Sequence, residues 1–221
     1  MNDLEKYFTE NPGWPIYKWK HYFEIYDRHF ARFRGTNVNV VEIGVGQGGS
    51  LQMWKHYFGP RSNIFGIDIN PACKILEEAQ IKNLIGNQED RTFLSSLTEM
   101  IPRINILIDD GGHQMKQQIT TYEELFPYID EHGVYLCEDL HTSYWQGFGG
   151  YKMDGTFIEY SKNFIDYINA WHSHTDLLKV TTFSKSVHSL HYYDSVLVIE
   201  KRPISKPVAV VSGITSIPEN S

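Results

Sequence analysis

The chain has 221 residues, 41% hydrophobic and 14% aromatic, with 27 Asp and Glu against 20 Lys and Arg, a formal net charge of −7. That balance argues against a nucleic-acid partner, and two cysteines, Cys73 and Cys137, make neither a disulfide framework nor, by themselves, a zinc site. No apolar run reaches the roughly 18 residues of a membrane span, and the opening residues lack the basic and apolar parts of a signal peptide, so a cytoplasmic protein without a membrane partner is expected.

Residues 1–35 are expected to form an N-terminal helical cap. In it Trp19, Tyr22, Phe23, Tyr26, Phe30 and Phe33 recur at helical spacing, and Gly35 closes the last turn. The main domain spans 36–202, and the Pro-, Ser- and Gly-bearing stretch 203–221 reads as a peripheral tail. Within the main domain strands are expected at 38–43, 64–69, 81–85, 104–109 and 133–138. Helices are expected at 50–58, 71–80, 89–100, 115–126 and 157–171. Two further extended runs, 178–183 and 192–200, have no helix between them and read as an antiparallel pair at one edge. The alternation predicts an α/β, Rossmann-like fold, a mostly parallel sheet with helices on both faces. In such sheets ligands sit beyond the carboxyl ends of the strands. Glu42, Asp68, Gln88, Glu89, Asp90, Asp109, Asp110, His113, Glu138 and Asp139 all fall at or just after predicted strands.

The first strand runs into Gly44-Val45-Gly46-Gln47-Gly48-Gly49-Ser50, which satisfies G-x-G-x-x-G, and Asp68 lies 19 residues beyond Gly49. Glycines there permit close backbone approach, the following helix N-terminus favours an anion, and the acid suits a ribose diol. A dinucleotide and an adenosyl ligand both fit, as does a glycine-rich turn that holds nothing. Glu42 favours the adenosyl ligand. Its charge would repel a pyrophosphate but attract the α-ammonium and sulfonium of S-adenosylmethionine.

A second cluster follows the fourth and fifth strands, in Asp109-Asp110-Gly111-Gly112-His113 and Glu138-Asp139-Leu140-His141. Neighbouring parallel strands bring these tips together, and four carboxylates at one place repel unless a cation joins them. Oxygen donors suit Mg²⁺, Mn²⁺ or Ca²⁺, with Asp110, Glu138 and Asp139 the expected triad. Helix capping by some of these acids is the competing reading. His113 has the ordinary pKa for proton removal near neutrality, with His141 a weaker competitor. Tyr144, Trp145 and Phe148 in the glycine-bearing loop behind them would wall a sugar ring, or serve packing or an interface.

The runs Glu42–Gly46, Ile108–His113 and Glu138–Trp145, with Lys18–Tyr22 before them, resemble the macrocin and mycinamicin O-methyltransferase family. The likeness covers residues 14–145 and fades over the last third. It implies a class I, metal-dependent methyltransferase acting on a sugar hydroxyl of a natural product, and a homo-oligomer. It also implies magnesium on Asp110, Glu138 and Asp139, with manganese as the other candidate, and His113 as general base. The donor S-adenosylmethionine would meet Glu42, Gly44, Gly46 and Ser50 in its loop, Asp68 at the ribose, Gln88 at the adenine, and Asp109. Lys18 would border the methionine end of the donor. Gly112 stands where Ser is common, and the large N-terminal domain that some members carry is not expected. An NAD(P)-dependent sugar oxidoreductase would explain the glycine loop but leave the carboxylates idle. A metal-binding scaffold would explain the carboxylates but not the gathering of every polar site at one sheet edge. Lys18, Lys20, Arg28, Arg32 and Arg34 read as a solvated helix face, since Glu24 and Asp27 interrupt them.

Overall fold

Apolar runs set the sheet. In this computed structural model, which describes residues 1–214, five parallel strands carry β-branched or Leu residues on both faces: β1 (Asn39–Ile43), β2 (Asn63–Asp68), β3 (Ile81–Ile85), β4 (Ile104–Asp109) and β5 (Ile129–Cys137). A hairpin of β6 (Val187–Tyr193) and β7 (Val196–Lys201) completes a seven-stranded sheet in the order β3-β2-β1-β4-β5-β7-β6. β7 runs antiparallel between β5 and β6.

Because strand side chains alternate, Val40, Ile106, Val134 and Val198 face one layer, and Val41, Leu107, Tyr135 and Ile199 the other. The first layer is built by α1 (Asp3–Thr9), α2 (Tyr22–Phe30) and α3 (Gly49–Phe58). Its core holds Tyr22, Phe23, Tyr26, Phe30, Trp54 and Phe58. The second layer is built by α4 (Arg91–Met100), α5 (Met115–Leu125) and α6 (Phe157–Asn169), through Leu94, Leu97, Tyr122, Leu125 and Phe164. Residues 1–35 thus pack their aromatic face into the same core as the sheet. Residues 203–214 carry no helix or strand and are mostly exposed, and the remainder of the tail lies outside the described residues.

Three local expectations change. Residues 178–183 do not form a strand. Thr181 and Ser184 make a capping box that starts a short helix, α7 (Thr182–Ser186), and Phe183 packs 5.2 Å from the ring of Phe164. The edge strand is instead the more polar β6, whose residues are mostly half-buried. The helix expected over 71–80 is a 3₁₀ turn, Pro71–Leu76, capped by Asn70, and Gln80 reverses the chain at φ 74°. Asp90, expected among the site acids, instead accepts from the backbone amides of Thr92 and Phe93 and caps α4.

Candidate active site

The carboxyl ends of β1, β2, β4 and β5 open into one cleft of about 670 Å³. Lys18, Gly44, Gly46, Ser50, Asp68 and Gln88 line it, as do Asp110, His113, Glu138 and Asp139. Two predicted site residues do not. Asp109 and Glu42 are fully buried behind the wall. Successive residues of β4 point to opposite faces, so Asp109 turns into the second layer while Asp110 turns to the cleft.

Asp109 supports the cleft from behind its wall. Gln88 Nε2 donates to its Oδ1 at 2.6 Å and to Thr121 Oγ1 at 3.0 Å, while Gln88 Oε1 accepts from the Gly112 amide at 3.2 Å. Burial pushes the Asp109 carboxyl up to about 7. Gln88 thereby ties β4 to the loop carrying His113. A Cβ on Gly111 would lie 2.1 Å from Gln88 Oε1, so this tie requires glycine.

The glycine loop is shaped by backbone contact. Gly44 has φ +94°, and a Cβ there would lie 2.0 Å from the carbonyl oxygen of Asp110. Asp68 Oδ2 accepts from the amides of Val45 (2.9 Å) and Gly46 (3.3 Å), so the acid that ends β2 fixes the loop that follows β1.

Lys18 is the centre of the acidic cluster. Its Nζ donates to Asp110 Oδ2 at 2.6 Å, Glu138 Oε1 and Oε2 at 3.0 and 3.1 Å, and Glu42 Oε1 at 3.2 Å. The side chain is 2% exposed. Burial alone would push this ammonium down, but the surrounding carboxylates together hold its pKa well above the usual lysine value. Burial raises Glu42, Asp110 and Glu138, with Lys18 opposing the rise in each. Ser50 Oγ completes Glu42 with a 2.7 Å bond. Lys18 and Ser50 therefore bear on Glu42 as well as on the cleft.

Two tyrosines that sequence reading counted only as core belong to the site. Tyr26 OH donates to Glu138 Oε1 and Tyr22 OH to Asp139 Oδ1, each at 2.7 Å. Their rings pack in the first layer while the hydroxyl tips reach the acids.

His113 and Asp139 both sit at φ 55°, in the left-handed region that residues other than glycine seldom adopt. The Gly111-Gly112 pair keeps ordinary φ, and the sharp turn is made by His113 itself. Its Nε2 lies 3.4 Å from Asp139 Oδ2 and 3.8 Å from Asp110 Oδ1. Its buried Nδ1 has no hydrogen-bond partner among the described residues. Burial lowers the imidazole pKa, with Asp139 opposing. His141, the weaker competitor, is engaged by Ser195 Oγ at its Nδ1. Asp110, His113 and Asp139 bring one ligand atom each within 4.8 Å of one another, whereas Glu138 turns toward Lys18 and Tyr26.

These donors fit a hard divalent cation: beyond β4 and β5 three carboxylates and one imidazole line the cleft, and no cysteine among the described residues does. Beside them an aromatic run borders His113. Phe148 lies 6.5 Å from its ring, Trp145 5.9 Å from Phe148, and His141 4.5 Å from Trp145. Trp19 closes the run 5.8 Å from His141.

No protein-family model matches the chain. It is 35% identical over 209 residues to mycinamicin VI 2''-O-methyltransferase of Micromonospora griseorubida, covering 89% of this chain and 51% of that one. It is 36% identical over 214 residues to demethylmacrocin O-methyltransferase of Streptomyces fradiae, covering 91% and 53%. The crystal structure of the MycE methyltransferase of mycinamycin biosynthesis, in complex with Mg and SAH, superposes with a TM-score of 0.83 at 34% identity, covering 91% of this chain and 55% of that one. The chain spans about half the length of the curated relatives it matches. It shares the class I methyltransferase fold of MycE, antiparallel strand pair included. Over that span the chain is a relative, in sequence and in fold, of the macrocin- and mycinamicin-type sugar O-methyltransferases.

Proposed function

We propose that the chain is an O-methyltransferase unit that takes a methyl group from S-adenosylmethionine and places it, with magnesium or manganese, on a sugar hydroxyl of a glycosylated natural product. The observation that carries this reading is the meeting, in one cleft, of the Gly44–Gly46 loop with Asp68 and of three carboxylates with His113. The names of the relatives agree with it, and a second MycE crystal holds Mg, SAH and mycinamycin VI.

Each residue then has a task. Gly44 lets the loop close onto the Asp110 carbonyl, the open backbone at Gly46 admits the donor, and Asp68, with lone pairs to spare beyond its loop amides, receives ribose hydroxyls. Gln88 borders the adenine end and steadies the His113 loop through Gly112. Asp110, Glu138 and Asp139 would hold the metal, which when bound would supply Lewis acidity beside the acceptor hydroxyl. His113 Nε2 takes the proton of the hydroxyl as its oxygen acquires the methyl group. For that, the neutral ring carries its hydrogen on Nδ1, the nitrogen without a hydrogen-bond partner among the described residues. Trp145 and Phe148 flank the sugar and exclude water.

The same reading makes the protein a cytoplasmic homo-oligomer. No helix among the described residues is long and apolar enough to cross a membrane, and Trp14, Tyr144 and Tyr151 are exposed aromatics available to a second copy. Sedimentation velocity tests the assembly. The chemistry is tested by incubating the protein with S-adenosylmethionine, Mg²⁺ and a panel of glycosylated macrolides and polyketides. A gain of one methyl on a sugar fragment by tandem mass spectrometry is expected. Methylation confined to the aglycone would overturn the acceptor assignment.

A further inference from the structure

Lys18 occupies the place where the proposed chemistry needs other cations. Its ammonium touches Glu42, Asp110 and both carboxylate oxygens of Glu138. A divalent ion held by Asp110, Glu138 and Asp139 requires Glu138 oxygens, and each lies within 3.1 Å of Nζ. Two cations cannot share them at that range, because in a buried site their repulsion is weakly screened. The alternative is an ion on Asp110, His113 and Asp139, whose ligand atoms already lie together. That arrangement consumes the imidazole lone pair and leaves no base for the hydroxyl.

Glu42 points the same way. Its polar partners are Lys18 and the Ser50 hydroxyl, and it is fully buried. Without an ammonium it would be an uncompensated buried charge. The α-ammonium of the methyl donor is chemically the same group as the lysine head.

The segment carrying Lys18 is held by packing and side chains, not by a backbone ladder. Residues 10–21, between α1 and α2, form neither helix nor strand. Among the described residues Pro15 through Lys18 make no backbone hydrogen bond. The strap lies directly on the start of α3, where a Cβ on Gly49 would meet Trp14 O at 2.3 Å. Tyr17 beside Lys18 is 94% exposed.

We propose that Lys18 is a built-in stand-in for two cations, the divalent metal and the donor's α-ammonium, and that its withdrawal from Glu42, Asp110 and Glu138 couples the loading of one to the loading of the other. This rests on the function proposed above. Each ligand pays part of the cost of removing Lys18, so whichever binds first eases the second. Linkage makes the effect reciprocal.

The test is a titration of Mn²⁺ into the wild-type chain and Lys18→Met, each with and without S-adenosylhomocysteine, read by the spin-resonance signal of free Mn²⁺. In parallel, an amine-reactive label is applied to the wild type and its yield at Lys18 is measured by mass spectrometry. Lys18→Met is expected to bind Mn²⁺ about tenfold tighter or more. S-adenosylhomocysteine is expected to tighten Mn²⁺ about tenfold in the wild type and to do nothing comparable in the variant. Lys18 should be protected in the metal-free chain and labelled once both ligands are present. Equal Mn²⁺ affinity in the two proteins, or protection of Lys18 with metal bound, would overturn the proposal and make Lys18 a permanent member of the site. If Lys18→Met does not fold, the labelling of the wild type decides alone. If S-adenosylhomocysteine does not bind while Mn²⁺ still exposes Lys18, the methyltransferase reading fails and the exchange of Lys18 for the metal stands.

Discussion

Tyr26→Phe removes one oxygen atom from the site and leaves the packing in place. The ring keeps its edge contact with Trp54 at 5.1 Å and its stack on Phe30 at 6.0 Å, and the Lys18 ammonium stays 5.8 Å from its centroid. What is lost is the 2.7 Å bond to Glu138 Oε1, a buried bond to a group 1% exposed. Hydrogen bonds to charged partners contribute about 1.5–3 kcal/mol, and a buried acceptor left short of a donor sits at the upper part of that range. A loss of about 2 kcal/mol is therefore expected. With a urea m-value of about 3 kcal/mol/M, the midpoint of metal-free unfolding should fall by about 0.7 M. Burial holds the phenol far above neutrality, so it donates throughout the working range. An unchanged midpoint would refute the argument, because Glu138 would then not depend on Tyr26 for its placement.

Four further outcomes follow from the same geometry. His113→Ala should lower kcat by about a hundredfold or more and leave the affinity for S-adenosylhomocysteine within about twofold, as titration calorimetry would read it; lost donor binding in a folded variant would argue against a base role. Gly44→Ala, which drives a Cβ onto the Asp110 carbonyl, should cost at least about 3 kcal/mol in urea unfolding, whereas Gly46→Ala, with nothing within 4 Å, should cost about 1 kcal/mol; equal losses would contradict the close approach. His29 Nδ1, 2.6 Å from Glu200 Oε1, and then Arg32 hold the Glu200 carboxyl down to about 2. A depressed carboxylate stabilises the fold above its unfolded pKa of about 4.3 and loses that contribution as pH falls toward 2, so Glu200→Gln should cost about 1–2 kcal/mol at pH 6, allowing for solvent screening, and progressively less below pH 4.3 by chemical denaturation. Chelation should abolish methyl transfer, and Mg²⁺ or Mn²⁺ should restore it; full activity in chelator would remove the metal from the account.

The sheet was legible because parallel strands buried on both faces read as apolar runs: Val40-Val41, Ile106-Leu107 and Val134-Tyr135 supply one residue to each layer. The edge hairpin was not, since β6 is half-exposed and carries two histidines and a serine, while the more apolar 178–183 is diverted by the Thr181 cap. At the site, the strand-end rule brought Asp68, Asp110, Glu138 and Asp139 to one cleft, but not Glu42, Asp90 or Asp109. The alternation within β4 would also have separated Asp109 from Asp110, had it been applied residue by residue. Tyr22 and Tyr26 were visible only as rings at helical spacing; where a hydroxyl tip lands depends on tertiary packing. The same holds for Lys18, whose partners lie 24, 92 and 120 residues away along the chain. No local pattern encodes that meeting.

A cleft made for S-adenosylmethionine beside a divalent metal is best probed by calorimetric titration with S-adenosylhomocysteine, and separately with NAD, each with Mg²⁺ and after chelation. Micromolar binding of S-adenosylhomocysteine, weakened by chelation, and no binding of NAD are expected. Binding of NAD alone would exclude a methyl-donor cleft and leave the carboxylates around Lys18 without a role.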